Sequence, residues 1–281
     1  MPARLLQASR GNRIDGRTCG GNGASMSGNT SGNISVREAM RLGWLCVLWP
    51  VLLLQARQVR RSAPCLPEPP GERAGKCGSG PPLRLLVAGD SGAAGVGADT
   101  QEEGLCGQLV RALSALYTVQ WHVLACNGLD SPGLLTLLRG MPSARFDVVV
   151  LSIGANDATD LQAPAAWAQR QSGVADLIQQ RFQPGLLMHC AVPPMRACRA
   201  LPQPLRWFMG LWASQMNRAL AAHLVDPGSR SMHWHPEQMI AAGMAADQIH
   251  PNAQGYAAWA GTLLPLILAS AASSSAADAQ S

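Results

Sequence analysis

The sequence predicts an α/β domain, a parallel sheet covered by helices on both faces, preceded by an N-terminal hydrophobic helix. Three observations carry that prediction. Between residues 83 and 268, short β-rich apolar runs alternate with longer runs of helical periodicity, the pattern of strands joined by helical crossovers. The 281 residues are 47% hydrophobic and only 14% charged, enough apolar material for one core-bearing domain with extensions and too little charge for a disordered chain. Ahead of that region, "LGWLCVLWPVLLL" (42–54) is uncharged throughout.

Taken in order, residues 1–36 are rich in Gly, Asn, Ser and Arg without apolar period and are expected to be a disordered extension. Met40, followed by a basic residue and the apolar run, marks an expected start of translation. Residues 37–61 are the expected hydrophobic membrane-anchor helix with a basic flank. The run is short against the roughly 20 residues of a bilayer span. No small-residue cleavage site follows it, and "QARQVRR" reads as a stop flank, so an uncleaved anchor is expected over a cleaved signal. Arg57, Arg60 and Arg61 behind the run, against Arg37 and Arg41 ahead of it, lean toward a folded domain on the cytoplasmic rather than the periplasmic side. Residues 62–82 hold enough Pro and Gly to read as a linker.

The folded domain is expected over 83–268. Strands are predicted at 83–89, 118–125, 146–154 and 185–192, with helices at 103–116, 163–182, 205–224 and 252–268. In the third helix Leu205, Met209, Trp212, Met216, Leu220 and Leu224 form one stripe. Residues 269–281 are small and polar, an expected disordered tail.

The formal charge of +5 is concentrated in the extension, and the folded part lacks a basic stripe with aromatic platforms, so no nucleic-acid partner is expected. The eight cysteines are scattered without a CxxC pair and read mostly as free thiols, with Cys106, Cys126 and Cys190 in apolar patterns as small buried hydrophobes. His233 and His235 form an H-x-H without a suitably spaced acidic or cysteine partner, so a structural role is expected and no metal.

Three segments carry chemistry. In "VAGDSGAAGVG", Ser91 follows a buried-type strand by two residues and enters a glycine-rich connection whose N–H groups could face an anion. The spacing fits neither G-x-G-x-x-G nor a Walker loop, and Ala93 breaks G-x-S-x-G. In "ADQIHPNAQGY", Asp247 and His250 stand one turn apart, a spacing that brings a carboxylate to an imidazole Nδ1. In "LSIGANDA", Asn156 at a strand end offers amide donors to an oxyanion. Gly128 in "ACNGLDS" is a weaker fourth feature, with Gly133 a competitor. Asp90 and Asp157 read as loop organisers. Val192–Gly210, interrupted by prolines and exposing Trp207, Phe208 and Met209 in sequence, reads equally as an acyl-chain wall or as core packing.

In combination and in order, these segments resemble the blocks of the SGNH, or GDSL, hydrolase superfamily: "GDS" its first, Gly128 its second, "GAND" its third and "DQIHPN" its fifth. The resemblance implies a flavodoxin-like three-layer α/β/α sandwich needing no cofactor. It implies a nucleophile at Ser91, a base at His250, an orienting carboxylate at Asp247, and an oxyanion hole from the Ser91 and Gly128 amides and the Asn156 side chain. The implied substrate is a small-molecule acyl ester, with thioesters and O-acetyl groups as further members of the class. The first block departs from the usual "GDSxTxG" by running "GDSGAAGVG", which bears on the acyl pocket. Two other readings stand beside it: a catalytically inactive, membrane-tethered ligand-binding domain on the same fold, and a nucleotide-binding protein. The oligomeric state is not legible.

Overall fold

The run "PLRLLVAG" places apolar side chains on both faces of a strand, as the centre of a helix-covered parallel sheet demands. The computed structural model describes residues 36–62, 64, 66–224, 231–234 and 241–278. Its strands are Ala74–Cys77 (β1), Pro82–Gly89 (β2), Thr118–Ala125 (β3), Val148–Ser152 (β4), Leu186–Cys190 (β5) and Ser231–Trp234 (β6). Its helices are Val36–Ser62 (α1), Ser91–Ala94 (α2), Leu105–Leu113 (α3), Ser131–Gly140 (α4), Ala155–Thr159 (α5), Pro164–Phe182 (α6), Leu205–His223 (α7) and Ala253–Asp278 (α8).

The sheet runs β1-β3-β2-β4-β5-β6; β1 is antiparallel to β3 and the remaining pairs are parallel. Counted in chain order, the parallel strands lie 2-1-3-4-5, the order of a doubly wound sheet. The chain reverses its winding between β2 and β4, and a crevice opens outside their carboxyl ends.

Alternation along β2 assigns the two helical layers. Leu83, Leu85 and Val87 join a core with Leu105 and Leu109 of α3 and Tyr256, Leu263 and Ile267 of α8. Leu86 and Ala88 turn to the other side, against Leu134 and Leu138 of α4 and Val174, Ile178 and Phe182 of α6. A third cluster gathers Trp167 of α6, Leu205, Met209, Met216 and Leu220 of α7, and Leu52 of α1. The α7 stripe is thus buried as expected at four positions, with Trp212 and Leu224 half-buried beside it.

The chain divides into two compact units, Met1–Cys46 and Val47–Ser281. Of the first, the opening stretch of α1 is described; the sheet and everything below belong to the second. Of the expected extension over 1–36, residues 1–35 lie outside the described residues and Val36 opens α1.

Two segments read as unstructured carry structure. Within 62–82, β1 pairs Ala74 with His122 and Cys77 with Val119; four residues are too few to show a period in sequence. At the other end α8 continues to Asp278 through an alanine-rich stretch, where helix propensity is high. Among the described residues, Ala253–Ala272 is the one stretch long and apolar enough to cross a membrane. Tyr256, Trp259, Leu263 and Ile267 are buried in the protein core, and that burial accounts for its composition.

Candidate active site

Ser91 leaves the carboxyl end of β2 one residue after Asp90 and opens α2. Asp90 caps that helix by accepting a hydrogen bond from the Gly92 amide at 3.1 Å, and the Asp90 amide donates to the Ser152 carbonyl at 2.9 Å. This tight junction requires glycine at position 89: its φ is +149°, and a Cβ there would stand 1.7 Å from the Ser152 carbonyl oxygen. Burial pushes the Asp90 carboxyl up to about 7, because hydrogen bonds from Gly92 and Ala155 only partly offset desolvation and Asp157 adds like charge.

Asp247 and His250 lie in the loop before α8. The loop is closed by the Ala245 amide donating to the His250 carbonyl at 2.8 Å. Asp247 is buried, and its Oδ1 accepts from the amides of Ile249 and His250 at 2.9 and 3.0 Å, while Oδ2 lies 2.6 Å from His250 Nδ1. Desolvation alone would raise this carboxyl. The hydrogen bonds from the His250 ring and the two amides outweigh it, holding Asp247 below the ordinary carboxylate range. An ionised carboxylate only accepts, so Nδ1 carries the proton and Nε2 presents a lone pair. Nε2 lies 2.9 Å from Ser91 Oγ. A hydroxyl bonded to an imidazole that is itself bonded to a buried carboxylate can lose its proton as it attacks a carbonyl.

Asn156 sits in the first turn of α5, at the carboxyl end of β4. One of its amide hydrogens is donated to the Leu129 carbonyl at 2.8 Å, which leaves the other for a ligand. Gly128 turns with φ +78°, with no atom within 4 Å of where a Cβ would stand. Ser91, Gly128, Asn156 and His250 all line one cavity of about 520 Å³. Gly133, the competitor for the second block, is inside α4, where its amide is committed to the capping carboxylate of Asp130 at 2.9 Å.

Asp157 organises this corner. Buried, it accepts from the Ser131 amide and hydroxyl at 3.2 and 2.8 Å, and Gln171 donates to Ser131 Oγ at 2.7 Å. Burial raises its carboxyl, and the Ser131 hydrogen bonds pull in the opposite direction. The 62–82 segment contributes too, which its composition did not signal: the Glu68 carboxylate accepts from the Asn127 amide, and Asn127 Nδ2 donates to the Leu66 carbonyl at 3.2 Å. Both contacts fix the residue next to Gly128. Glu68, set between Pro67 and Pro69, was the available signal.

The proline-interrupted segment divides between its two readings. Met195, Leu201, Leu205 and Met209 line the cavity, whereas Phe208 stacks on Trp212 and Trp207 is exposed. Cys106 and Cys190 are buried thiols, with burial pushing Cys106 up to about 12. Cys126, expected to be buried with them, is exposed, because β3 ends at Ala125 and the next side chain leaves the sheet. The His233 side chain and the whole of His235 lie outside what the structure describes.

The profile of the GDSL-like lipase/acylhydrolase family matches residues 87–258, a span that begins in β2 and ends in α8. A GDSL-like esterase of Mycobacterium tuberculosis is 31% identical over 198 residues, 62% of this chain and 58% of that esterase. The chain thus matches somewhat more than half the length of this relative. Three solved structures share the fold. A lipase from a goat rumen metagenome aligns with TM-score 0.51 and 19% identity, over 64% of this chain and 95% of its own. An extracellular lipase of Streptomyces rimosus aligns with TM-score 0.50 and 20% identity, over 67% and 99%. A carbohydrate esterase family 2 enzyme of Corynascus thermopiles, carrying a carbohydrate-binding domain, aligns with TM-score 0.56 and 16% identity, over 69% and 68%. The profile match takes in the serine after β2, the asparagine after β4 and the Asp-His loop before α8, and on its extent the chain belongs to the GDSL-like lipase/acylhydrolase family.

Proposed function

We propose that the protein is a serine hydrolase that cleaves carboxylic esters by two-step acyl transfer, with thioesters and O-acetyl groups in the same reaction class. The observation that carries the reading is the hydrogen-bonded chain from Ser91 Oγ through His250 to the buried Asp247, at 2.9 and 2.6 Å, opening on a largely apolar cavity. Family membership supports the same chemistry.

Ser91 Oγ attacks the carbonyl carbon while His250 Nε2 takes its proton; Asp247 holds the ring in the required tautomer and stabilises the imidazolium. Charge on the tetrahedral oxygen is met by the amides of Ser91 and Gly128 and the free amide hydrogen of Asn156. His250 then protonates the leaving alkoxide, and water, activated by the same ring, releases the acid and restores the serine. The hydrolase domain proposed for 83–268 takes in β1 as an edge strand ahead of it and the continuation of α8 behind it. The reading is tested by p-nitrophenyl acetate and butyrate hydrolysis. Turnover by the full chain should be lost in Ser91→Ala and in His250→Ala; equal turnover in Ser91→Ala would refute it.

The exposed apolar face of α1 is proposed as a membrane anchor, with the hydrolase domain, on which Leu48, Leu52, Ala56 and Val59 of the opposite face pack, held at the cytoplasmic side of the bilayer. Trp49, Val51, Leu53 and Leu54 are exposed along α1, and Arg57, Arg60 and Arg61 follow. Fractionation of expressing cells tests this: retention in the membrane fraction after an alkaline carbonate wash supports an anchor, and release into the supernatant overturns it.

A further inference from the structure

Helix α1 lies outside the residues that match the family profile, yet its second half forms part of the cavity that holds Ser91. From Val47 onward its inward stripe is Leu48, Leu52, Ala56 and Val59, spaced four, four and three residues apart and therefore on one helical face. Leu52 is buried against α7, and Trp49 meets Phe208 edge to face at 6.4 Å. Gln55 fastens the two helices by donating to the Gln203 carbonyl at 2.7 Å and accepting from the Leu205 amide, the first N–H of α7, at 3.0 Å. Arg60 reaches the Thr159 carbonyl at the end of α5, the short helix that carries Asn156. The helix is thus tied to both sides of the cavity.

Between those fastenings, Ala56 and Val59 line the cavity together with Met195, Leu205 and Met209. Ala56 and Val59 are small, and with these neighbours they make an apolar stretch of the lining that suits hydrocarbon, beside the polar Arg60 and Thr159. We infer that the second half of α1 is the outer wall of an acyl-chain site, and that Val59 with Ala56 sets the length of acyl chain accepted. The substrate class is an ester of a medium-length fatty acid of about six to ten carbons, for which a cavity of about 520 Å³, within the roughly 300–1,000 Å³ of small-molecule sites, has room. This inference rests on the proposed Ser91 chemistry.

The test is a kcat/KM profile on p-nitrophenyl esters from acetate to dodecanoate, using the full chain, Ser91→Ala, Val59→Trp and Val59→Ala. For the unmodified protein, kcat/KM should climb about four-fold per added methylene toward octanoate, the worth of burying one such group. Val59→Trp should lower the octanoate-to-acetate ratio about ten-fold or more, and Val59→Ala should move the optimum to longer chains. If Val59→Trp fails to fold, the direction of the Val59→Ala shift decides. A ratio near one in the unmodified protein, or an unchanged profile in the folded Val59 variants, overturns the wall while Ser91-dependent acetate turnover leaves the chemistry standing. Absence of any Ser91-dependent turnover overturns both.

Discussion

At the scale of single residues, the hydroxyl of Ser91 owes its proposed reactivity to what touches it. Removing the orienting carboxylate by Asp247→Asn should cost about 10,000-fold in kcat, since the amide can hold the ring in the wrong tautomer. If Asn156 has its proposed oxyanion role, Asn156→Ala should lower kcat about 100- to 1,000-fold with little change in KM, because the charge its amide hydrogen would meet exists only in the transition state; a loss confined to KM would argue that it binds ground-state substrate instead. Asp90 makes a prediction about stability. Its carboxyl sits at about 7 in the folded chain against an ordinary 3.8, so below pH 3.8 both states hold the proton and the residue is neutral to folding. As pH rises between those values the unfolded chain releases a proton that the folded chain retains, and stability falls until both forms are ionised. Asp90→Asn, which keeps an acceptor for the Gly92 amide, should therefore raise the Tm more at about pH 8 than at about pH 5. Equal shifts at both would show that the carboxyl is not held protonated. The candidates Ser91, Asn156, Asp247 and His250, which the structure brings to one cavity or its hydrogen-bonded chain, stood out in the sequence because each chemistry-bearing residue type occurs at a strand end or before a helix. Glu68 was not, because the backbone it fixes is distant in sequence and a single acidic residue has no pattern.

At the scale of elements, the junctions between β2, α2 and β4 decide whether the site forms. Gly89→Ala places a methyl on the Ser152 carbonyl at a φ that L-residues avoid, and should cost about 2–4 kcal/mol, read as a large drop in Tm; a melting curve unchanged from the parent would mean that β2 and β4 can separate there without loss. The β2, β3, β4 and β5 segments and helices α3, α6, α7 and the start of α8 were readable from hydrophobic period, with boundaries within a few residues. Edge strand β1 and helix α4 were not. The first is four residues long, and the second hides behind "LDSPG", whose turn-forming residues in fact cap the helix through Asp130 and Pro132. In α1 the apolar run is hydrophobic all round, which concealed the stripe that begins at Leu48 and continues past the run to Val59 against the third core cluster.

At the scale of the whole molecule, the doubly wound order places the ends of β2 and β4 side by side, and the loop before α8 brings its imidazole across to the serine. The fold class could be read from alternation alone, whereas the meeting of three loops could be anticipated only through the family's ordered blocks. The proposed consequence is one nucleophile, Ser91, in the cavity that Gly128, Asn156 and His250 also line. A fluorophosphonate probe applied to the full chain, followed by intact-mass and peptide mass spectrometry, measures this most directly. One adduct per chain is expected, located on Ser91, absent in Ser91→Ala and strongly slowed in His250→Ala. A folded protein that takes no label, or takes it undiminished in Ser91→Ala, would contradict it.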